Sequence, residues 1–144
     1  RAPGVSAEEL YQNAMRDKSA GHLEMALQQF AEYLRLFGST VTAPNAQYQI
    51  GEIYYQNGDF EPAVKAFDML LEKYPENNKT PDAMYMKGMA LLKTDQRNAA
   101  VQEFREVIKR FKGTDLADKS RDRLKSLGVS TTAPAARSTK KRSR

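Results

Sequence analysis

Ala46-Gln47-Tyr48-Gln49-Ile50-Gly51-Glu52-Ile53-Tyr54-Tyr55-Gln56-Asn57-Gly58-Asp59-Phe60, continued by Ala63, Phe67 and Tyr74-Pro75, is the stretch on which the fold turns. Counting 37 residues back or forward from it meets the same residue types again. Ala26, Ala63 and Ala100 form one column, and Phe30, Phe67 and Phe104 another. Tyr11, Tyr48 and Tyr85 form a third, and Phe37, Tyr74 and Phe111 a fourth. Ala14, Gly51 and Gly88 make a column of small residues. A fixed period of this length marks stacked supersecondary units, none of which can bury its apolar face alone.

Each unit reads as two helices and a loop. In the middle unit, Pro44 to Asn57 carries Tyr48, Ile50, Tyr54 and Tyr55 and stops at Gly58, a residue suited to a helix C-terminus. Ile50, Gly51 and Tyr54 are expected to face the core. Asp59 is expected to cap the next helix, with Glu61 and Pro62 in its first turn. That helix carries Phe60, Ala63, Val64, Phe67, Leu70 and Leu71 and ends at Tyr74-Pro75. Thr80-Pro81 then opens the following unit with a cap and a first-turn proline. Ser6-Ala7-Glu8-Glu9 fits a capping box. The small columns predict close helix crossings, because a mid-helix glycine costs about 0.5–1 kcal/mol relative to alanine unless close approach outweighs it.

The predicted architecture is all-α: a right-handed α-solenoid of three helix pairs, about 6–42, 43–79 and 80–113, plus a C-terminal capping helix at 114–127. That last segment is apolar on one side and charged on the other, as the end of an array should be. Residues 1–5 read as a flexible lead-in and 128–144 as a disordered basic tail, in which Val129 is the only large apolar residue. The chain opens on Arg1 and reads as a piece of a longer precursor.

Composition narrows the chemistry. The chain has 144 residues, 40% of them apolar, with no cysteine and one histidine. Disulfides, thiolate metal sites and Ser–His or Cys–His nucleophiles all lack parts. His22 falls at the exposed start of a second helix, Gly51 and Gly88 sit inside helices, and no glycine-rich phosphate loop exists. An enzyme, a cofactor, a metal and a small-molecule substrate are therefore not expected. The net charge of +5 arises wholly from Arg137, Lys140, Lys141, Arg142 and Arg144. Binding of a polyanion through that tail is an alternative function, but nucleic acid is disfavoured because aromatic residues do not interleave with the cations.

The quoted stretch resembles a tetratricopeptide repeat, and the resemblance extends over about residues 6–127, making the three pairs TPR helix pairs. The period exceeds the usual 34 of that repeat by three, an excess assigned to the loops Gly38–Ala43 and Asn77–Lys79. Tyr74-Pro75-Glu76-Asn77-Asn78-Lys79-Thr80-Pro81-Asp82-Ala83-Met84-Tyr85 and Arg110-Phe111-Lys112-Gly113-Thr114-Asp115 resemble the C-terminal domain of the YbgF/CpoB family. Outer-membrane assembly lipoproteins of the BamD type are a near neighbour. The first resemblance implies a periplasmic, non-enzymatic adaptor of the Tol-Pal cell-envelope machinery, linked to cell division. It also implies homo-oligomerisation through a coiled coil preceding this segment.

One stripe of each first helix is not needed for the crossing. Tyr11, Met15 and Lys18 share it in the first unit, Tyr48, Glu52 and Tyr55 in the second, and Tyr85, Met89 and Leu92 in the third. Stacking is expected to align the three stripes along a concave groove that holds a helix or extended segment of another protein. Tyrosine offers large area with few rotatable bonds, and methionine adapts its shape. Packing of the tyrosines against neighbouring units is the structural alternative.

Overall fold

The computed structural model describes residues 4–133; residues 1–3 of the expected lead-in and 134–144 of the expected tail lie outside the described residues. Among the described residues there are seven helices and no strand. They are α1 (Ala7–Ser19), α2 (Leu23–Phe37), α3 (Ala43–Gln56), α4 (Phe60–Lys73), α5 (Thr80–Lys93), α6 (Arg97–Arg110) and α7 (Asp115–Leu127). Each helix packs on the next along the chain, while α3 also touches α5 and α5 touches α7. This nearest-neighbour pattern is that of a right-handed α-solenoid of tetratricopeptide type.

Local signals account for most of the boundaries. Ser6 and Glu9 form the capping box, with Ser6 Oγ accepting from the Glu9 amide at 3.1 Å and Glu9 Oε1 accepting from the Ser6 amide at 3.2 Å. Thr114 caps α7 by accepting from the Ala117 amide at 3.2 Å. Gly58 follows α3 with φ +85°, a conformation open to glycine at little cost. Two expected caps are corrected. Asp59 stands at the cap position, but its carboxylate accepts from the Asn57 side chain at 2.8 Å and leaves the helix amides alone. Thr80 is the first residue inside α5, with Lys79 before it; its hydroxyl accepts from the Asn77 amide and donates to the Pro75 carbonyl, both at 3.3 Å. Thr80 therefore ties down the preceding loop. A second tie joins the longer loops, where the Tyr74 hydroxyl donates to the Gly38 carbonyl at 2.7 Å.

The core runs as three clusters in chain order, and each draws on a helix pair plus the first helix of the next. Leu10, Ala14, Ala26 and Phe30 are thus joined by Ala43, Ala46 and Ile53 from α3. Ala26, Ala63, Ala100, Phe30, Phe67 and Phe104 are all fully buried. A Cβ on Gly51 would stand 2.5 Å from the Phe67 ring, and one on Gly88 would stand 2.8 Å from the Phe104 ring. Real carbon contacts do not come that close, so the two glycines are fixed by the rings they cradle.

Polarity ends the array at α7. In the 37-residue register, Arg121 and Lys125 of α7 stand where α5 carries the buried Met84 and Gly88. Leu124 and Ala117 instead complete the face that α7 buries against α6. The segment after α7 departs from the expected tail. Val129 packs on the last cluster, and Arg105 Nε and Nη2 donate to the Ser130 carbonyl at 3.1 and 3.0 Å. Chain contacts therefore continue past Gly128. The five tail cations fall outside the described residues.

Gly51→Ala is expected to destabilise the fold by about 1–3 kcal/mol through overpacking, despite alanine's better helix propensity. Urea unfolding measures it, and a stabilised variant would contradict the crossing. Ala63→Leu, at a fully buried site, is expected to cost a similar amount.

Candidate partner-binding face

The first helices α1, α3 and α5 carry the expected stripes, and the tyrosine column is held by the phenylalanine column behind it. Tyr11–Phe30, Tyr48–Phe67 and Tyr85–Phe104 each lie with ring centroids 5.6 Å apart. The same contact, repeated in every pair, sets how far each tyrosine projects. Tyr11 is half-buried and touches Tyr33 as well, at 5.9 Å. Burial raises its phenol pKa, opposed by a hydrogen bond with Gln49. Met15 packs beside it on the first cluster.

Lys18, Tyr48 and Glu52 meet at the junction of α1 and α3. Lys18 Nζ donates to Glu52 Oε1 and to Gln49 Oε1, both at 2.5 Å. The Tyr48 hydroxyl donates to Glu52 Oε2 at 3.2 Å. Tyr48 is only 8% exposed, and Lys79 Nζ lies over its ring at 4.7 Å. It is a core residue that shows a partner little surface, unlike the exposed anchor expected of it. Lys18 and Glu52, both on the stripes expected to face a partner, are engaged with each other.

In the other half of the face no stripe residue is buried. Tyr55, Tyr85, Met89 and Leu92 all remain partly exposed. Tyr85, Met89 and Leu92 pack on the third cluster, and Tyr55 packs edge-on against Phe60 at 5.1 Å. Burial raises the Tyr55 phenol, opposed by the charge of Arg123 and reinforced by Tyr85. Arg123 Nε lies 3.5 Å from the Tyr85 hydroxyl. The reading of single stripes passed over Gln49 and Arg123. Both belong to the column Gln12, Gln49, Met86 and Arg123, in which Gln49 reaches back to Lys18 of α1 and Arg123 to Tyr85 of α5. Treating α7 as a fourth first helix would have found them.

On the other side of α3, Ile50 and Tyr54 are partly exposed, where the sequence placed them in the core. With Ala31, Leu34, Ala66 and Met69 they line a cavity of about 390 Å³ between α2, α3 and α4. At the next junction the same register holds Asp68, Lys87 and Glu103, and Lys87 Nζ pairs with the two carboxylates at 2.6 and 3.1 Å. The outer groove is thus apolar at one junction and charged at the other. No group of metal-ligating side chains occurs among the described residues. His22 is exposed at the start of α2 and lies 3.6 Å from Asp17.

Tyr48 gives the face a pH signature. Burial, then the charges of Glu52 and Asp82, raise its phenol pKa well above the usual value near ~10. The folded chain therefore holds this proton more tightly than the unfolded chain. Stability from this group is fully present below about pH 10 and is lost as pH rises toward the folded value. Tyr48→Phe is expected to flatten that alkaline decline in denaturant midpoints, and an unaltered decline would contradict the burial of the phenol.

Comparison with known proteins agrees with this geometry. No curated protein matches the chain. The N-terminal domain of stress-induced protein-1 (STI-1) from C. elegans superposes with a TM-score of 0.67 at 18% identity, covering 81% of this chain and 92% of that domain. MamA superposes with a TM-score of 0.65 at 19% identity, over 81% of this chain and 61% of its own. The MamA RS-1 ArsTM double mutant gives 0.67 at 27% identity, over 88% and 70%. Residues 3–129 match the family described as YfiO, outer membrane lipoprotein. The chain is a tetratricopeptide-repeat protein and belongs to the YfiO outer membrane lipoprotein family.

Proposed function

We propose that this protein is a non-enzymatic scaffold of the bacterial cell envelope, and that it holds a helix or extended segment of another protein along the face of α1, α3 and α5. The observation that carries the reading is the set Tyr85, Met89 and Leu92 of α5 with Tyr55 of α3 near Tyr85, all left partly exposed. A patch of this kind on a soluble surface usually answers to a partner. The envelope is supported by membership of an outer membrane lipoprotein family. Among the described residues no helix is long and apolar enough to cross a membrane. A role as a component of an outer-membrane assembly complex follows that membership most directly.

A second reading, an adaptor of the Tol-Pal machinery in cell division, is favoured by the run from Tyr74 to Tyr85. In that run Asn77 and Thr80 close the loop with side-chain hydrogen bonds. Oligomerisation through a preceding coiled coil belongs to this second reading.

The test is a photo-crosslinking residue placed at Leu92, compared with one at Gln102 on the exposed side of α6. Protein adducts in intact cells are expected from the first position and not from the second. The identity of the adduct, a barrel-assembly component or a Tol-Pal component, separates the two readings. Once a partner is in hand, Tyr55→Ala with Tyr85→Ala is expected to weaken binding by more than about 1 kcal/mol with unchanged helicity. Tyr48 is left out of that pair because it is buried. Unchanged affinity would remove the assignment of the face.

A further inference from the structure

The two halves of the face differ in charge as well as in exposure. At the α1–α3 junction, Lys18 and Glu52 neutralise one another, and Glu52 also holds the Tyr48 hydroxyl. Toward α7, two cations flank the aromatic patch. Lys93 Nζ lies over the Phe60 ring at 5.6 Å, and Phe60 packs on Tyr55. Arg123 Nε lies beside the Tyr85 hydroxyl, and its charge is felt at Tyr55. Both cations are exposed. Elsewhere Arg35 pairs with Glu32, Lys87 with Asp68 and Glu103, and Arg121 with Asp118. Among the described residues, Lys93 and Arg123 form no ion pair with a carboxylate.

Building on the peptide-binding reading of this face, we propose that its α5–α7 half selects a partner segment in which an acidic residue adjoins an aromatic or aliphatic one. The apolar side chain would lie on Tyr55, Tyr85, Met89 and Leu92, and the carboxylate between Lys93 and Arg123. A carboxylate that accepts hydrogen bonds from a guanidinium or ammonium makes a stronger contact than a neutral acceptor. The cation positions also set orientation, because Lys93 ends α5 and Arg123 lies on α7, both beyond the self-neutralised half. Complementary charge of this kind governs specificity and encounter rate more than total affinity.

The test selects random twelve-residue peptides displayed on phage against the whole chain, against Lys93→Glu with Arg123→Glu, and against Tyr55→Ala with Tyr85→Ala. All substituted side chains are exposed or partly exposed, and circular dichroism verifies that each variant is folded. The wild-type chain is expected to enrich peptides that pair Asp or Glu with Phe, Leu, Met or Tyr. The charge-reversed variant is expected to enrich Lys or Arg in their place. A selected acidic peptide, re-measured by fluorescence anisotropy, should bind about tenfold more weakly to the charge-reversed variant, equivalent to about 1.4 kcal/mol. Apolar peptides without acidic enrichment, lost on the Tyr55/Tyr85 variant, would overturn this inference and leave the face as a binding site. Peptides indifferent to both variants, or no enrichment at all, would overturn the inference and count against the face itself.

Discussion

A phenylalanine ring seated against a glycine of the facing helix is the constraint from which the rest of this structure follows. Phe67 lies where a Cβ on Gly51 would stand, and Phe104 where one on Gly88 would stand. Ala63 and Ala100, in the second helix of the same pairs, are fully buried beside this contact. The contact fixes the crossing at the same depth in successive pairs. The first pair keeps Ala14 in the glycine column, so the close seat is a property of the inner pairs. Because each cluster borrows residues from the following first helix, a pair is complete only when its neighbour is present.

The binding face is the reverse side of that packing. Each tyrosine of the repeated column leans on its own phenylalanine at one repeated distance, so the rigid core positions the surface. What varies is the residue that reaches across from the next first helix. Gln49 binds Lys18 and closes the first junction with polar contacts. Met86 packs on the second cluster, beside Tyr48. Arg123 meets Tyr85 at the third and leaves a charge exposed there. One architectural period thus carries three different surfaces. The outer groove shows the same economy in reverse, with Ile50 at one junction and the Lys87 ion pairs at the next. Burial alone would lower the Lys87 pKa, but Asp68 and Glu103 raise it overall, so its charge is kept.

Periodicity made the helix pairs and the buried columns legible, because packing in a repeat must satisfy the same geometry each time. The helix start at Ser6 was readable from local capping chemistry, which involves residues three apart, and the structure shows Thr114 capping α7 at the same spacing. Asp59 and Thr80 were misassigned because an Asx or hydroxyl side chain has rival local partners, here Asn57 and the 75–77 loop. Tyr48 was read as an anchor although Phe67 and Lys79 cover it, and only three-dimensional stacking reveals that cover. Lys18 and Glu52 stood on separate stripes for a similar reason: their pairing joins residues 34 apart in sequence across two units. Ser130 joins the fold through Arg105, a contact that tail composition could not announce.

The most direct measurement of the central claim is the cost of Gly51→Ala determined in two backgrounds, with Phe67 intact and with Phe67→Leu. If ring and glycine are one contact, the substitution destabilises the natural chain but turns neutral or stabilising once the ring is gone, a coupling of at least about 1 kcal/mol. An equal cost in both backgrounds would contradict the account, since the alanine would then be meeting something other than the Phe67 ring.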